Sequence, residues 1–137
     1  DGPDYKRLKA MAGPTVELLG RGDDAHVKEL YAGCRAFLFP GEEDFGITPL
    51  EAMASGRPVI AYGKGGALET VVEGVTGTFF KEQTTDSLID ALRRFETMTF
   101  DKHKLREHAE KFDDEVFKAR IKAFVEEKYN ERNGAQK

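Results

Sequence analysis

Glu43 and Glu51 stand eight positions apart in the run Gly41-Glu42-Glu43-Asp44-Phe45-Gly46-Ile47-Thr48-Pro49-Leu50-Glu51-Ala52-Met53-Ala54-Ser55-Gly56. A carboxylate at a helix start can accept two hydrogen bonds from a vicinal diol such as the 2′- and 3′-hydroxyls of a ribose. Free N–H groups around Phe45, Gly46, Ile47 and Thr48, aided by the helix dipole, can hold a diphosphate beside it. The acids Glu42, Glu43 and Asp44 would repel such an anion, so they need their own reason. Hydroxyls of a hexose donating to a carboxylate is one, and stabilisation of an oxocarbenium-like transition state is another. Plainer readings stay open on the pattern alone. Thr48 and Glu51 fit a reciprocal capping box with Pro49 at the first helical position, worth about 1 kcal/mol. Residues 42–44 fit a solvated acidic turn.

The surrounding elements explain why these residues would meet. The apolar run Ala36-Phe37-Leu38-Phe39 reads as a strand covered on both faces, and the helix after the acidic loop runs from about Pro49 to Ser55, stopping at Gly56. Pro58-Val59-Ile60-Ala61-Tyr62 reads as another buried strand, followed by Gly63-Lys64-Gly65-Gly66. That glycine loop can cradle an anion, but without the rest of a fingerprint its plain reading is a flexible connection. Residues 69–73 predict a short helical segment and residues 77–80 a last short strand. Toward the start, residues 1–12 predict a loop and a short amphipathic helix carrying Tyr5, Leu8 and Met11. Residues 16–20 read as a strand after Gly13-Pro14. Asp23 or Asp24 can cap a helix with Val27, Leu30 and Tyr31 on one face and Gly33 at its end. Thr84 or Thr85 can cap another, bearing Leu88, Ile89, Leu92 and Phe95. Residues 101–132 predict charged helices with an apolar stripe of Phe112, Val116, Phe117, Ile121, Phe124 and Val125, and residues 133–137 a tail. Strands alternating with helices through short loops give an α/β, Rossmann-like parallel sheet with helices on both faces, where ligands gather at strand carboxyl ends.

Composition narrows the function. The chain has 137 residues, 39% hydrophobic and 34% charged, enough for one domain with a single core. A net charge of −4 argues against a broad nucleic-acid footprint. The lone Cys34 cannot form an internal disulfide and reads as packing rather than as a nucleophile. No metal-binding cluster is visible, so no metal or cofactor is expected. Without a signal peptide or a long apolar span, the expected location is the cytoplasm, with peripheral membrane association through a partner or another domain left open.

Glu43-x7-Glu51 with Phe45-Gly46 inside it is followed by Glu51-Ala52-Met53-Ala54-Ser55-Gly56-Arg57-Pro58-Val59-Ile60-Ala61. Gly65-Gly66-Ala67-Leu68-Glu69-Thr70-Val71 and Gly74-Val75-Thr76-Gly77 come next. Together these segments resemble the C-terminal, donor-binding domain of the retaining, GT-B-fold glycosyltransferases of the family-4 type. The match runs from residue 1 to about residue 96. Its wording is most similar to the mannosyltransferase branch that uses GDP-mannose, with a UDP-sugar as the other donor class.

The resemblance implies roles. Glu43 would contact donor-sugar hydroxyls near the reacting centre and be the catalytic residue, while Glu51 would hold the ribose. Phe45, Gly46, Ile47 and Thr48 would touch the sugar and diphosphate. Gly2 and Pro3 would border the nucleotide, and Leu19, Gly20 and Arg21 would lie by the base. It also implies residues 1–100 as the nucleotide-sugar-binding domain, short of its first strands, with residues 101–132 packed on it. An Arg/Lys pair clamping the diphosphate and an acceptor-binding N-terminal domain would belong to a part outside this chain. The chain is therefore expected to be inactive alone and to show a gap in its sheet, exposed apolar strand edges or a partner that fills them. A non-catalytic nucleotide-binding or partner-docking module is the rival reading, and a GT-B epimerase or phosphorylase a third.

Overall fold

A computed structural model describes residues 2–134 of the chain. Its centre is a parallel sheet of three strands in the order β1-β2-β3, with β1 at Phe37–Phe39, β2 at Val59–Tyr62 and β3 at Gly77–Phe80. Phe37 pairs with Val59, and Val59 with Gly77. β2 lies between the others, and Val59, Ile60 and Ala61 are fully buried. Burying a Val or Ile side chain stabilises a fold by about 1.5–3 kcal/mol, which is why this run forms the middle strand.

Side chains alternate across β2, so the two sheet faces receive different partners. Val59 and Ala61 pack with Tyr31, Phe39, Leu50 and Met53. Those residues come from α2 (Asp24–Gly33), β1 and α3 (Ile47–Ala54). α4 (Ala67–Thr70) joins this layer through Ala67, and α6 (Lys102–Glu110) through Leu105 and Ala109. On the opposite face Ile60, Tyr62 and Phe80 meet Ala91 and Phe95 of α5 (Thr85–Phe95). The architecture is thus α/β with helices on both faces. Caps follow side-chain chemistry: Asp23 accepts from the His26 N–H at 2.8 Å, and Thr84 from the Ser87 N–H at 3.3 Å.

Several sequence expectations need correction. Residues 16–20 form no strand; Val16 and Leu19 are 55% and 48% exposed. A short apolar run becomes a strand only with a hydrogen-bonding neighbour, and residues 16–20 pair with neither edge of the sheet, β1 or β3. β1 is accordingly not covered throughout, with Leu38 44% exposed. The helical segment expected at 69–73 is α4, ending at Thr70. Glu73 instead ties β3 down, accepting from the Thr78 hydroxyl at 2.7 Å and the Phe79 N–H at 3.0 Å.

The C-terminal helices divide. α6 packs closely on α3, and Leu105 is fully buried. α7 (Asp114–Gly134) leaves Phe117, Ile121, Phe124 and Val125 exposed, so its stripe does not pack on the sheet layers. The tail expected from residue 133 begins inside α7; residues 135–137, and residue 1, lie outside the described residues.

Candidate functional site

The acidic loop leaves the carboxyl end of β1 and enters α3 at Gly46, whose φ of 78° is readily adopted only by glycine. A Cβ there would sit 2.9 Å from the Phe39 ring, so the same atom that would strain the backbone would also strike the core. Gly46 therefore occupies the position before the helix, and α3 starts at Ile47 rather than at Pro49. The capping box is not formed. Thr48 falls inside the first turn, no side chain caps α3, and the Glu51 carboxylate is engaged elsewhere. The early N–H groups of α3, including those of Ile47 and Thr48, have no carbonyl inside the helix to bond.

The partner of Glu51 is Tyr31, near the end of α2. Its phenol donates to Glu51 Oε2 at 3.2 Å, and its ring meets Phe37 edge-on with centroids 5.5 Å apart. Burial, and then the Glu51 charge and hydrogen bond, push the Tyr31 phenol up to about 12. The folded-state value lies above the ordinary 10.0. The stability contributed by the neutral phenol is therefore full below pH ~10 and is lost as pH rises through about 12. An ultraviolet titration should find one tyrosine ionising later than a free phenol, and Glu51→Ala should bring it down.

The loop carrying Glu43 rests on the glycine segment after β2. The Gly66 N–H donates to the Glu43 carbonyl at 2.7 Å, and a Cβ at Gly66 would come within 2.5 Å of the Asp44 carbonyl oxygen. Residues 63–66 are thus a bed for the acidic loop rather than a loose connection. They also aim the Glu43 side chain outward, where it makes no hydrogen bond or ion pair among the described residues. Gln83 donates to the Pro40 carbonyl at 3.0 Å from the other side. Lys64 lies over the Tyr62 ring at 5.6 Å, and its ammonium is held above the usual range by Tyr62, with Glu42 adding to the effect.

Phe45, Ile47 and Glu51 open onto a groove of about 800 Å³ whose far wall includes Arg106, Phe112 and Phe117. The Phe45 and Phe112 rings are 6.0 Å apart across it. Leu19, Gly20 and Arg21 line a different hollow, with Tyr5 and Leu8 of α1 (Tyr5–Met11). Gly2 and Pro3 precede that helix, and the Gly2 carbonyl accepts the Tyr5 N–H at 3.2 Å. The structure thus joins Phe45, Ile47 and Glu51 in one groove, with Glu43, Gly46 and Thr48 on the same loop and helix start, while residues 19–21 line a hollow of their own. Cys34 donates to the Tyr31 carbonyl at 3.3 Å, and burial raises its thiol pKa.

The sequence places Tyr31 on an apolar helix face and Gly66 in a glycine loop, but gives neither a part in positioning the two carboxylates. A tyrosine on an apolar helix face was a usable signal for the first, because a buried phenol needs a hydrogen-bond partner. Among the described residues no helix is long and apolar enough to cross a membrane, and no cluster of His, Cys, Asp and Glu could hold a metal ion.

Residues 1–112 match the family model described as glycosyl transferases group 1. Over 97 residues, 66% of the chain, the sequence is 39% identical to the alpha-1,3/1,6-mannosyltransferase ALG2 of Mus musculus. Over 73 residues, 53% of the chain, it is 38% identical to a glycogen synthase of Pseudomonas aeruginosa. Among solved structures it resembles the sucrose-phosphate synthase from Thermosynechococcus elongatus, with TM-score 0.65 and 25% identity over 96% of this chain and 35% of that one. The matched part is 23% of the mouse protein and 14% of the Pseudomonas protein.

Proposed function

The chain belongs to the group 1 glycosyl transferases, and from that membership we propose that it is the donor-binding part of an enzyme transferring a hexosyl unit. The donor in this reading is GDP-mannose, the acceptor is a saccharide or a lipid-linked saccharide, and transfer retains configuration. The similarity to a mannosyltransferase over two thirds of the chain favours this donor. The observation that carries the reading is the paired carboxylates: Glu51 of α3, held by Tyr31 of α2, and Glu43, held out by a loop seated on Gly66.

Glu51 accepts from the ribose hydroxyls, and the N–H groups at the start of α3 take the diphosphate with the favourable end of the helix dipole. Phe45 and Gly46 border the sugar. As the bond between the anomeric carbon and the diphosphate oxygen breaks, positive charge develops on the sugar, and the Glu43 carboxylate stabilises it. The acceptor hydroxyl then bonds to that carbon on the face the diphosphate left, and its proton passes to the departing diphosphate oxygen. No metal is required, since positive side chains neutralise the diphosphate, and the acceptor is held by an N-terminal domain. Gly2, Pro3, Leu19, Gly20 and Arg21 border the nucleotide base in this proposal. The enzyme works in the cytoplasm, with peripheral membrane association suited to a lipid-linked acceptor.

A partner-docking module is the second reading, favoured by the exposed stripe of α7. Calorimetric titration with GDP-mannose and UDP-sugars separates the two. Binding of GDP-mannose by this chain, weaker than by the full-length protein, is expected. No binding of any nucleotide sugar to either would favour the module.

A further inference from the structure

The geometry points to Tyr31 as a positioning residue of the nucleotide site, whose phenol fixes the Glu51 carboxylate in the orientation that receives a ribose diol. This rests on the proposed role of Glu51 and adds a residue to it that lies on another element, twenty positions away in the chain.

Glu51 lies on an exposed part of α3, in its middle, and a glutamate there is free to sample several rotamers. A diol demands one of them, with a carboxylate oxygen turned to each hydroxyl. Tyr31 supplies the restraint. Tyr31 is 9% exposed and its ring meets Phe37 of β1 edge-on, so the ring that carries the phenol is fixed against the core. The Tyr31 backbone is tied as well, because its carbonyl accepts from Cys34 Sγ. The phenol has a single O–H, and Glu51 Oε2 receives it at 3.2 Å. An ionised carboxylate has about four acceptor sites, so Oε1 and the second lone pair of Oε2 stay open to a ligand. The phenol remains neutral far above physiological pH, so it is always available as the donor. Tyr31 touches no substrate in this scheme; it reduces the ordering that Glu51 must undergo when the nucleotide arrives.

Tyr31→Phe keeps the ring and removes only the donor. The test is calorimetric titration of the full-length protein with GDP and with 2′-deoxy-GDP, for the wild type, Tyr31→Phe, Glu51→Ala and the double variant. Wild type should prefer GDP. Tyr31→Phe should weaken GDP about tenfold, the size expected for a hydrogen bond to a charged group, and should weaken 2′-deoxy-GDP much less, so that the preference narrows. In the Glu51→Ala background the tyrosine substitution should change nothing further, because its effect passes through that carboxylate. Equal weakening of both nucleotides by Tyr31→Phe, or wild-type constants for both, would overturn the positioning role while leaving that of Glu51 intact if Glu51→Ala weakens GDP. Unchanged GDP binding by Glu51→Ala would overturn both.

Discussion

Replacing Gly66 with alanine is expected to displace the Glu43 loop and to lower Tm by ~10 °C. The backbone at Gly66 is ordinary, with φ −61°, so the substitution introduces no torsional strain of its own. The effect is steric. The new methyl group would lie within 2.5 Å of the carbonyl oxygens of Asp44 and Phe45, and main-chain atoms cannot turn aside as a side-chain end can. Either the acidic loop or the start of α4 must move, breaking the bond from the Gly66 N–H to the Glu43 carbonyl. Overpacking of this kind costs about 1–3 kcal/mol, and the lost hydrogen bond adds about 1 kcal/mol. A loop shifted by ~1 Å would also misplace Glu43 enough to reduce turnover about 100-fold. Gly33→Ala is the control: nothing lies within 4 Å of its added Cβ, so scanning calorimetry should find Tm unchanged or slightly raised. A Gly66→Ala protein that melts with wild type would mean that the glycine bed does not hold the loop.

Glu43→Ala should act in the opposite manner, with stability kept and chemistry lost. The side chain is exposed and makes no hydrogen bond or ion pair among the described residues, so its removal should change stability by less than ~0.5 kcal/mol. A carboxylate facing developing positive charge matters in the transition state far more than in the bound donor. Losing it should lower kcat by ~100- to 1000-fold, the scale measured for other groups placed against transition-state charge. Binding of GDP should be unaltered, since Glu43 is assigned to the sugar and not to the nucleotide. A kcat within a few-fold of wild type would remove Glu43 from the reacting centre.

These two expectations also separate what the sequence disclosed from what it concealed. The run at residues 58–62 was readable as a strand because burial on both faces of a parallel sheet demands an unbroken apolar stretch, and the shorter runs at 36–39 and 77–80 carry enough aromatic side chains to read the same way. Residues 16–20 have similar composition but no adjoining strand, and composition does not report a neighbour. Thr48-Pro49-Leu50-Glu51 matched a capping pattern, yet Gly46, with its positive φ, already provided the entry to α3, which a local pattern does not weigh. Gly65-Gly66 looked flexible because close backbone approach is a tertiary fact; the loop it supports lies more than twenty residues upstream. The link between Tyr31 and Glu51 was hidden for the same reason. The stripe on α7 predicted a helix correctly, but a period of 3.6 says nothing about what the apolar face meets. The placement of the carboxylates, Glu43 on the loop after β1 and Glu51 on α3, was legible because the Phe-Gly turn and the following helix lie within one continuous segment.

Release of GDP from GDP-mannose by the full-length protein, compared among wild type, Glu43→Ala and Glu51→Ala, tests the paired carboxylates most directly. Both variants should fold as wild type does and lose at least ~100-fold in kcat/KM, Glu43→Ala through kcat and Glu51→Ala chiefly through donor binding. Wild-type turnover in both variants would contradict the assignment of either residue to the donor.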